Sequence, residues 1–438
     1  MNALTSNPPL RRLLAAWAQS CVGTGAGYVA LLLLTYRHLH SSWAISAVLL
    51  AEFIPAIAFG SWFGNCADRY SRRRLIVGAN VLQAIAYGGL ALSRTAVPIV
   101  GLALVAGVGN SLQRPALRSA LPLVAGEAKQ AAAAWFDTCR WLGLTAGPVL
   151  AAALFAVAGV AVPLALNGLS FLVAAVAMVT IPTPGPTGEG EGTRGARHGL
   201  RAGLAIAFEA PAILTVIACS SGAVIASGLL NVCEPILATH VLHGSGSAYA
   251  LLVACYGGGM VVAAVLVARR GDNPAGVLIH RYLGAVTLTA LGMTGSAVSA
   301  SVLAAALAFV ATGYANALLL VSETQLIQLR VANAVQGRLF GVKDTLAGAA
   351  FLVGLLGAGG LVAAVGVRVT LATGASICGV CAVAALVALR SSLRAPHGGP
   401  ARDPREEPAA PVDAAALGVP PDARVIVAQA AGELRRTA

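Results

Sequence analysis

Charge is scarce in this sequence. Only 11% of its 438 residues are Asp, Glu, Lys or Arg, where a soluble domain carries about 25%. Too few charges remain to clothe a water-facing surface, which excludes a soluble globule. Aromatic residues are scarce too, at 5%, and none interleaves with basic residues as a nucleic-acid-binding stripe would require. The formal charge of +12 therefore implies no nucleic-acid partner. A phosphate loop of the G-x-x-x-x-G-K-S/T type is missing, and so is an H-E-x-x-H metal pair. No nucleotide, metal or other cofactor is expected, and no enzymatic activity. The eight cysteines fall mostly inside apolar runs, including the C-x-x-C of Cys378 and Cys381. Without a partnering His or second Cys pair they read as small packing residues.

Apolar length is what the chain has. Hydrophobic residues make up 58%, mean hydropathy is +0.80, and runs of roughly 18 residues or more recur, enough to cross a hydrocarbon core of about 30 Å. The runs predict an all-α membrane protein of twelve helices. Six cover 13–35, 43–64, 75–93, 96–116, 135–158 and 161–181. Six more cover 211–240, 247–268, 277–297, 301–322, 341–364 and 369–390. Arg11 and Arg12 before the first run resemble a signal peptide, but that run is too long for a cleaved segment and reads as a retained helix.

This divides the chain into a six-helix bundle at 1–181, a linker at 182–210, a second bundle at 211–390 and a tail at 391–438. The linker opens on Pro182-Thr183-Pro184-Gly185-Pro186, and the tail is rich in Ala, Pro and Arg. Neither composition can bury a core. Eighteen Lys and Arg residues lie at the N-terminus, at 182–210 and around the connectors after even-numbered helices, against three (Arg37, Arg94, Arg368) around the others. Basic residues mark the cytoplasmic side, so both termini are expected in the cytoplasm and the protein in the inner (cytoplasmic) membrane. Two six-helix halves in a bilayer suit a transporter with a central cavity that opens to each side in turn.

The connector after the second helix runs Gly64-Asn65-Cys66-Ala67-Asp68-Arg69-Tyr70-Ser71-Arg72-Arg73-Arg74. It resembles the G-x-x-x-D-R-x-G/S-R-R loop of the major facilitator superfamily, at the position where that family carries it. The resemblance implies a conformational-switch loop formed by Gly64, Asp68, Arg69, Arg72 and Arg73. Physically, Gly64 would let two helices approach, Asp68 would sit at a helix N-terminus, and the arginines would meet carboxylates or anionic lipid.

Three stretches are similar to the drug- and siderophore-exporting branch, which holds macrolide-efflux and enterobactin-exporter proteins. They are Arg114 to Pro122, placed after the fourth helix; Asn167 to Leu172, opening the sixth; and Gln325 to Val331 with Gly337 to Gly341, placed before the eleventh. The fifth helix carries Gly143-Leu144-Thr145-Ala146-Gly147-Pro148-Val149-Leu150-Ala151. This resembles the G-x-x-x-G-P-x-x-G sequence of exporters, with Ala151 in place of the last glycine. Gly143 and Gly147 share one helix face for close packing, and Pro148 bends the helix. Leucine at 147 should force the helices apart, whereas alanine should be tolerated.

Ionisable groups inside a membrane helix are costly and point to function. The candidates for a proton or substrate site are Glu52 before Pro55, Glu234 before Pro235, and Asp137 with Arg140, spaced i, i+3 for an ion pair. Asn110, Gln113 and Tyr314 read as packing polar groups. The expected function is secondary active export of a small amphipathic drug, natural product or siderophore by proton antiport, in a chain that functions as a monomer. A proton-coupled metabolite importer and a non-transporting sensor or scaffold are the alternatives.

Overall fold

A computed structural model of the chain describes residues 7–181, 211–270, 275–330 and 333–394. Met1–Leu393 form one compact unit. The expected linker at 182–210 lies outside the described residues, as does the tail beyond 394.

Twelve helices run through the described residues. The first half comprises α1 (Pro8–Leu39), α2 (Ser42–Arg69), α3 (Arg72–Leu92), α4 (Ala96–Ala125), α5 (Lys129–Val157) and α6 (Ala161–Val179). The second comprises α7 (Pro211–Ile236), α8 (Gly246–Arg270), α9 (Ala275–Val298), α10 (Val302–Arg330), α11 (333–365) and α12 (367–394). The last two form a nearly continuous helical stretch broken at Gly366, where φ is 80° and ψ is 171°. That backbone region is open essentially to glycine alone. A methyl group there would meet no atom within 4 Å, so the cost of Gly366→Ala is purely conformational. It should be about 1–3 kcal/mol, read as a lower unfolding midpoint of the detergent-purified protein; an unchanged midpoint would contradict it.

The helices outrun their apolar windows, mostly at the arginine-rich end. α1 starts at Pro8, α2 continues to Arg69, α4 to Ala125 and α10 to Arg330. The stretch Arg114 to Pro122 therefore belongs to α4 instead of following it, and Gly337 to Gly341 lie within α11. A 30-residue helix such as α4 is about 45 Å long, more than the ~30 Å hydrocarbon core. Its last turns leave lipid, and hydropathy no longer reports them. Local chemistry holds these ends: Asn7 accepts a bond from the Leu10 amide (3.0 Å) to cap α1, and its own amide donates to the Val124 carbonyl at the end of α4 (2.9 Å).

Small residues set the packing within each half. A Cβ on Gly25 of α1 would lie 2.6 Å from the Gly143 carbonyl oxygen and 3.2 Å from Gly147 Cα, so α1 and α5 touch backbone to backbone. The second half repeats the device, with Gly228 of α7 against Gly354 of α11. Outward-facing apolar residues such as Val176, Leu291, Leu307 and Val380 stay exposed, as a lipid-facing belt requires.

The halves are related by equivalent positions. Tyr28 and Asn231 each stand twenty residues after the first residue of α1 and α7, Pro8 and Pro211. Gly107 and Gly313 each stand eleven after the start of α4 and α10, at Ala96 and Val302. Gly107 packs on the backbone of Ala51 and Glu52, Gly313 on that of Tyr256. Such parallel repeats are expected of halves related by an axis along the membrane normal.

Contacts between the halves lie toward the arginine-poor end. Ser42 Oγ donates to the Gly359 carbonyl (2.9 Å) and Ser247 Oγ to the Ala152 carbonyl (2.8 Å). Trp43 stacks its ring against Gly359 and Gly360. Further down, Phe53 and Phe351 meet edge to face at 5.2 Å, and Ile57 approaches Gly348. Among the described residues no hydrogen bond joins the halves nearer the arginine-rich end.

Candidate functional site

Beneath the closed end, polar side chains from both halves converge. Tyr28 of α1 donates its hydroxyl to Asn231 Oδ1 of α7, joining the halves; the Asn231 amide is held in turn by the Ser227 carbonyl (2.7 Å). Tyr256 of α8 accepts from Asn316 Nδ2 of α10 (2.6 Å). Glu52 Oε1 faces the Tyr87 hydroxyl at 3.4 Å, and its Oε2 is buried with no hydrogen-bond partner. Glu234 is 5% exposed, and its carboxylate interacts electrostatically with Tyr28, Tyr249 and Tyr256. Tyr28 also lies within electrostatic reach of Glu52, so one tyrosine senses a carboxylate of each half. Tyr249 is fully buried, and its hydroxyl has no partner.

The structure thus brings Glu52 and Glu234 to one cluster and leaves Asp137 and Arg140 elsewhere. The expected pair within α5 does not form. Asp137 instead faces Arg118 of α4 at 4.0 Å, with both side chains more than half exposed. Arg140 lies over the Trp141 ring, 5.4 Å from its centroid. Spacing i, i+3 made the pair possible, but helix rotation decides which neighbour is met.

Of the loop residues, Arg72 is buried and donates from Nε to Ser119 Oγ of α4 (3.2 Å). Arg73 donates to the carbonyl of Val179, the last residue of α6, where the helix end is partially negative. Arg69 ends α2 and is exposed. The Asp68 side chain lies outside the described residues. Gly64 does not mediate a close approach in this conformation: a Cβ there would meet nothing within 4 Å. The α2–α3 connector lies at the arginine-rich end, where the described residues of the two halves make no hydrogen bond to each other.

Gly143, Gly147 and Pro148 are buried, and both glycines face α1. A Cβ on Gly147 would stand 2.6 Å from Ala26 N, Gly25 Cα and the Val22 carbonyl oxygen. Alanine is therefore not a mild change there, contrary to the expectation from spacing alone. Gln113 is a packing group, bridging Asn80 (2.9 Å) and Gln83 (3.1 Å) between α3 and α4.

Sequence reasoning missed two sets of residues. The tyrosines and asparagines of the cluster carry little hydropathy signal and are scattered over nearly 300 residues. The other set is the ion pair of Glu323 (α10) and Lys343 (α11), at 3.6 Å with side chains 2% and 15% exposed. Glu323 falls one residue past the apolar window at 301–322, and Lys343 was counted only for orientation. The lengths of α10 and α11 bring both inside the fold.

The sequence profile of the Major Facilitator Superfamily matches residues 15–232. A protein described as a bacilysin exporter, from Bacillus amyloliquefaciens, is 28% identical over 359 residues, 79% of this chain and 87% of that protein. Macrolide efflux protein A of Streptococcus pyogenes is 21% identical over 330 residues, 72% and 80% of the two chains. Among solved structures, the nucleoside transporter NupG aligns with a TM-score of 0.69 at 14% identity, covering 87% of this chain and 99% of that one. A bacterial homologue of the human lysosomal transporter Spinster, in an inward-facing and unoccupied conformation, gives 0.64 at 14% identity over 87% and 96%. These are transport proteins and not enzymes. With its twelve helices in two bundles and the matched profile, the chain is a multi-pass membrane transporter of the major facilitator superfamily.

Proposed function

We propose that this transporter exports a small amphipathic molecule from the cytoplasm by alternating access, driven by proton entry. The observation that carries the reading is the placement of Glu52 and Glu234, one from each half, in a buried cluster where the halves meet. A carboxylate in a membrane interior is held there by function, and one that can be neutral or charged can exchange a proton for a cargo. The drug- and siderophore-export branch fits the α5 glycine–proline sequence and the export named for two of the relatives. The excess of arginine and lysine around the connectors after even-numbered helices supports a cytoplasmic placement of both termini. In that orientation the joined end faces outward, and the cluster is approached from the cytoplasm. The loop of Asp68, Arg69, Arg72 and Arg73 would then hold the cytoplasmic ends in register between states.

The test is efflux from proteoliposomes against an imposed pH gradient, in the wild type and in Glu52→Gln, Glu234→Gln and Asp137→Asn. Gradient-driven efflux should fall at least tenfold in the two glutamine variants. It should persist in Asp137→Asn, because that carboxylate is exposed beside Arg118. Full pH-driven efflux in both glutamine variants would overturn coupling through these groups. Inward-only flux would overturn export.

A further inference from the structure

The charge inventory of the central cluster is one-sided. Its formal charges are the carboxylates of Glu52 and Glu234, and no described arginine or lysine interacts electrostatically with either. The described basic groups of the helices are engaged or placed elsewhere. Arg72 and Arg73 hold α4 and α6, Arg118 meets Asp137, Lys343 meets Glu323, and Arg368 donates to the Ala297 (2.9 Å) and Ser299 (2.8 Å) carbonyls. An acidic pair in a bilayer interior without a basic partner has a vacant electrostatic complement.

Two independent details point to a ligand. Glu52 Oε2 is buried and unpartnered. Tyr249 is 0% exposed, its hydroxyl has no partner, and the ring lies in the electrostatic reach of Glu234 and Tyr28. Tyr28, Tyr249 and Tyr256 lie within electrostatic reach of Glu234, and an aromatic ring can attract a cation through its quadrupole. An anion would meet two carboxylates.

We propose that the cluster of Glu52, Glu234, Tyr28, Tyr249 and Tyr256 binds an organic cation: an apolar body bearing a protonated amine or another monovalent positive centre. Glu234 and its three tyrosines hold the positive centre, and Glu52 supplies the second carboxylate from the other half. This inference rests on the export reading for its place in a transport cycle, but the recognition itself needs neither flux nor a gradient.

The probes are tetraphenylphosphonium and tetraphenylborate, which share size and shape and differ in the sign of charge. Binding is measured by equilibrium titration of the purified protein in lipid nanodiscs, at one pH and ionic strength. Saturable phosphonium binding is expected, with at least tenfold weaker borate binding. Glu234→Gln and Glu52→Gln should each weaken phosphonium binding tenfold or more, while size-exclusion profile and unfolding midpoint confirm the fold. Borate bound as tightly as phosphonium, no saturable phosphonium binding, or unchanged affinity in both variants would overturn the proposal. The wild-type comparison alone decides the sign of the site if a variant fails to fold. Export is scored separately, by the direction of flux. A protein that moves cargo outward yet prefers borate defeats only the cation inference; one that binds phosphonium but moves nothing outward defeats only export.

Discussion

Lys343→Ala should destabilise the protein by about 3–5 kcal/mol, the cost of leaving a buried charge without its partner. Glu323 is the group left behind: its side chain is 2% exposed, Lys343 Nζ lies 3.6 Å from Oε2, and Oε1 already has no hydrogen bond. The nearby Asp344, at 4.0 Å from Lys343, is 77% exposed and loses little. The decisive comparison is with the double variant Glu323→Leu and Lys343→Met. Replacing a buried pair by apolar residues of similar volume is often close to neutral, so the double variant should recover most of the unfolding midpoint lost in Lys343→Ala. Equal losses in both would mean that the pair acts through packing and not through charge.

Gly147 gives the second large effect. Gly147→Ala places a carbon 2.6 Å from three backbone atoms of α1, and backbone cannot step aside as a flexible side-chain tip can. Overpacking of this kind costs about 1–3 kcal/mol, and transport should fall at least tenfold even for alanine. Gly147→Leu should yield almost no correctly assembled protein. Gly64→Ala is the contrast, since its Cβ would meet nothing within 4 Å and alanine favours a helix over glycine by roughly 1 kcal/mol. Its unfolding midpoint should hold or rise. Near-normal flux in Gly147→Ala would show that α1 and α5 can separate without consequence.

The twelve spans were legible because each is a long apolar run, and lipid imposes helix on such a run. Glu52 and Glu234 were legible because a lone carboxylate stands out in that background. Gly143, Gly147 and Pro148 carried their signal in spacing, and the structure packs both glycines of α5 against α1. What stayed hidden depends on helix rotation and on relations across the chain. Asp137 meets Arg118 instead of Arg140 because α4 presents its arginine to α5. Glu323 and Lys343 fell outside windows that ended where hydropathy ended, not where the helix ended. The tyrosine cluster is assembled from α1, α3 and α8, and a hydroxyl on a ring hardly alters a hydropathy profile. An internal alignment would have helped, since Tyr28 and Asn231 share one offset from Pro8 and Pro211.

The seam between the halves carries few hydrogen bonds among the described residues. Within a half, glycines bring backbones together, so α1 with α5 and α7 with α11 behave as solid blocks. Across the halves, the described hydrogen bonds are those of Tyr28 to Asn231, Ser42 to Gly359 and Ser247 to Ala152. At about 1 kcal/mol net each, these three bonds contribute roughly 3 kcal/mol to the joined form, beside the packing of Trp43, Phe53 and Phe351. One of the three bonds runs through Tyr28, which also lies within electrostatic reach of both carboxylates. A guest seated among those groups therefore competes with a fastener of the gate itself, and opening on the far side becomes part of its binding equilibrium.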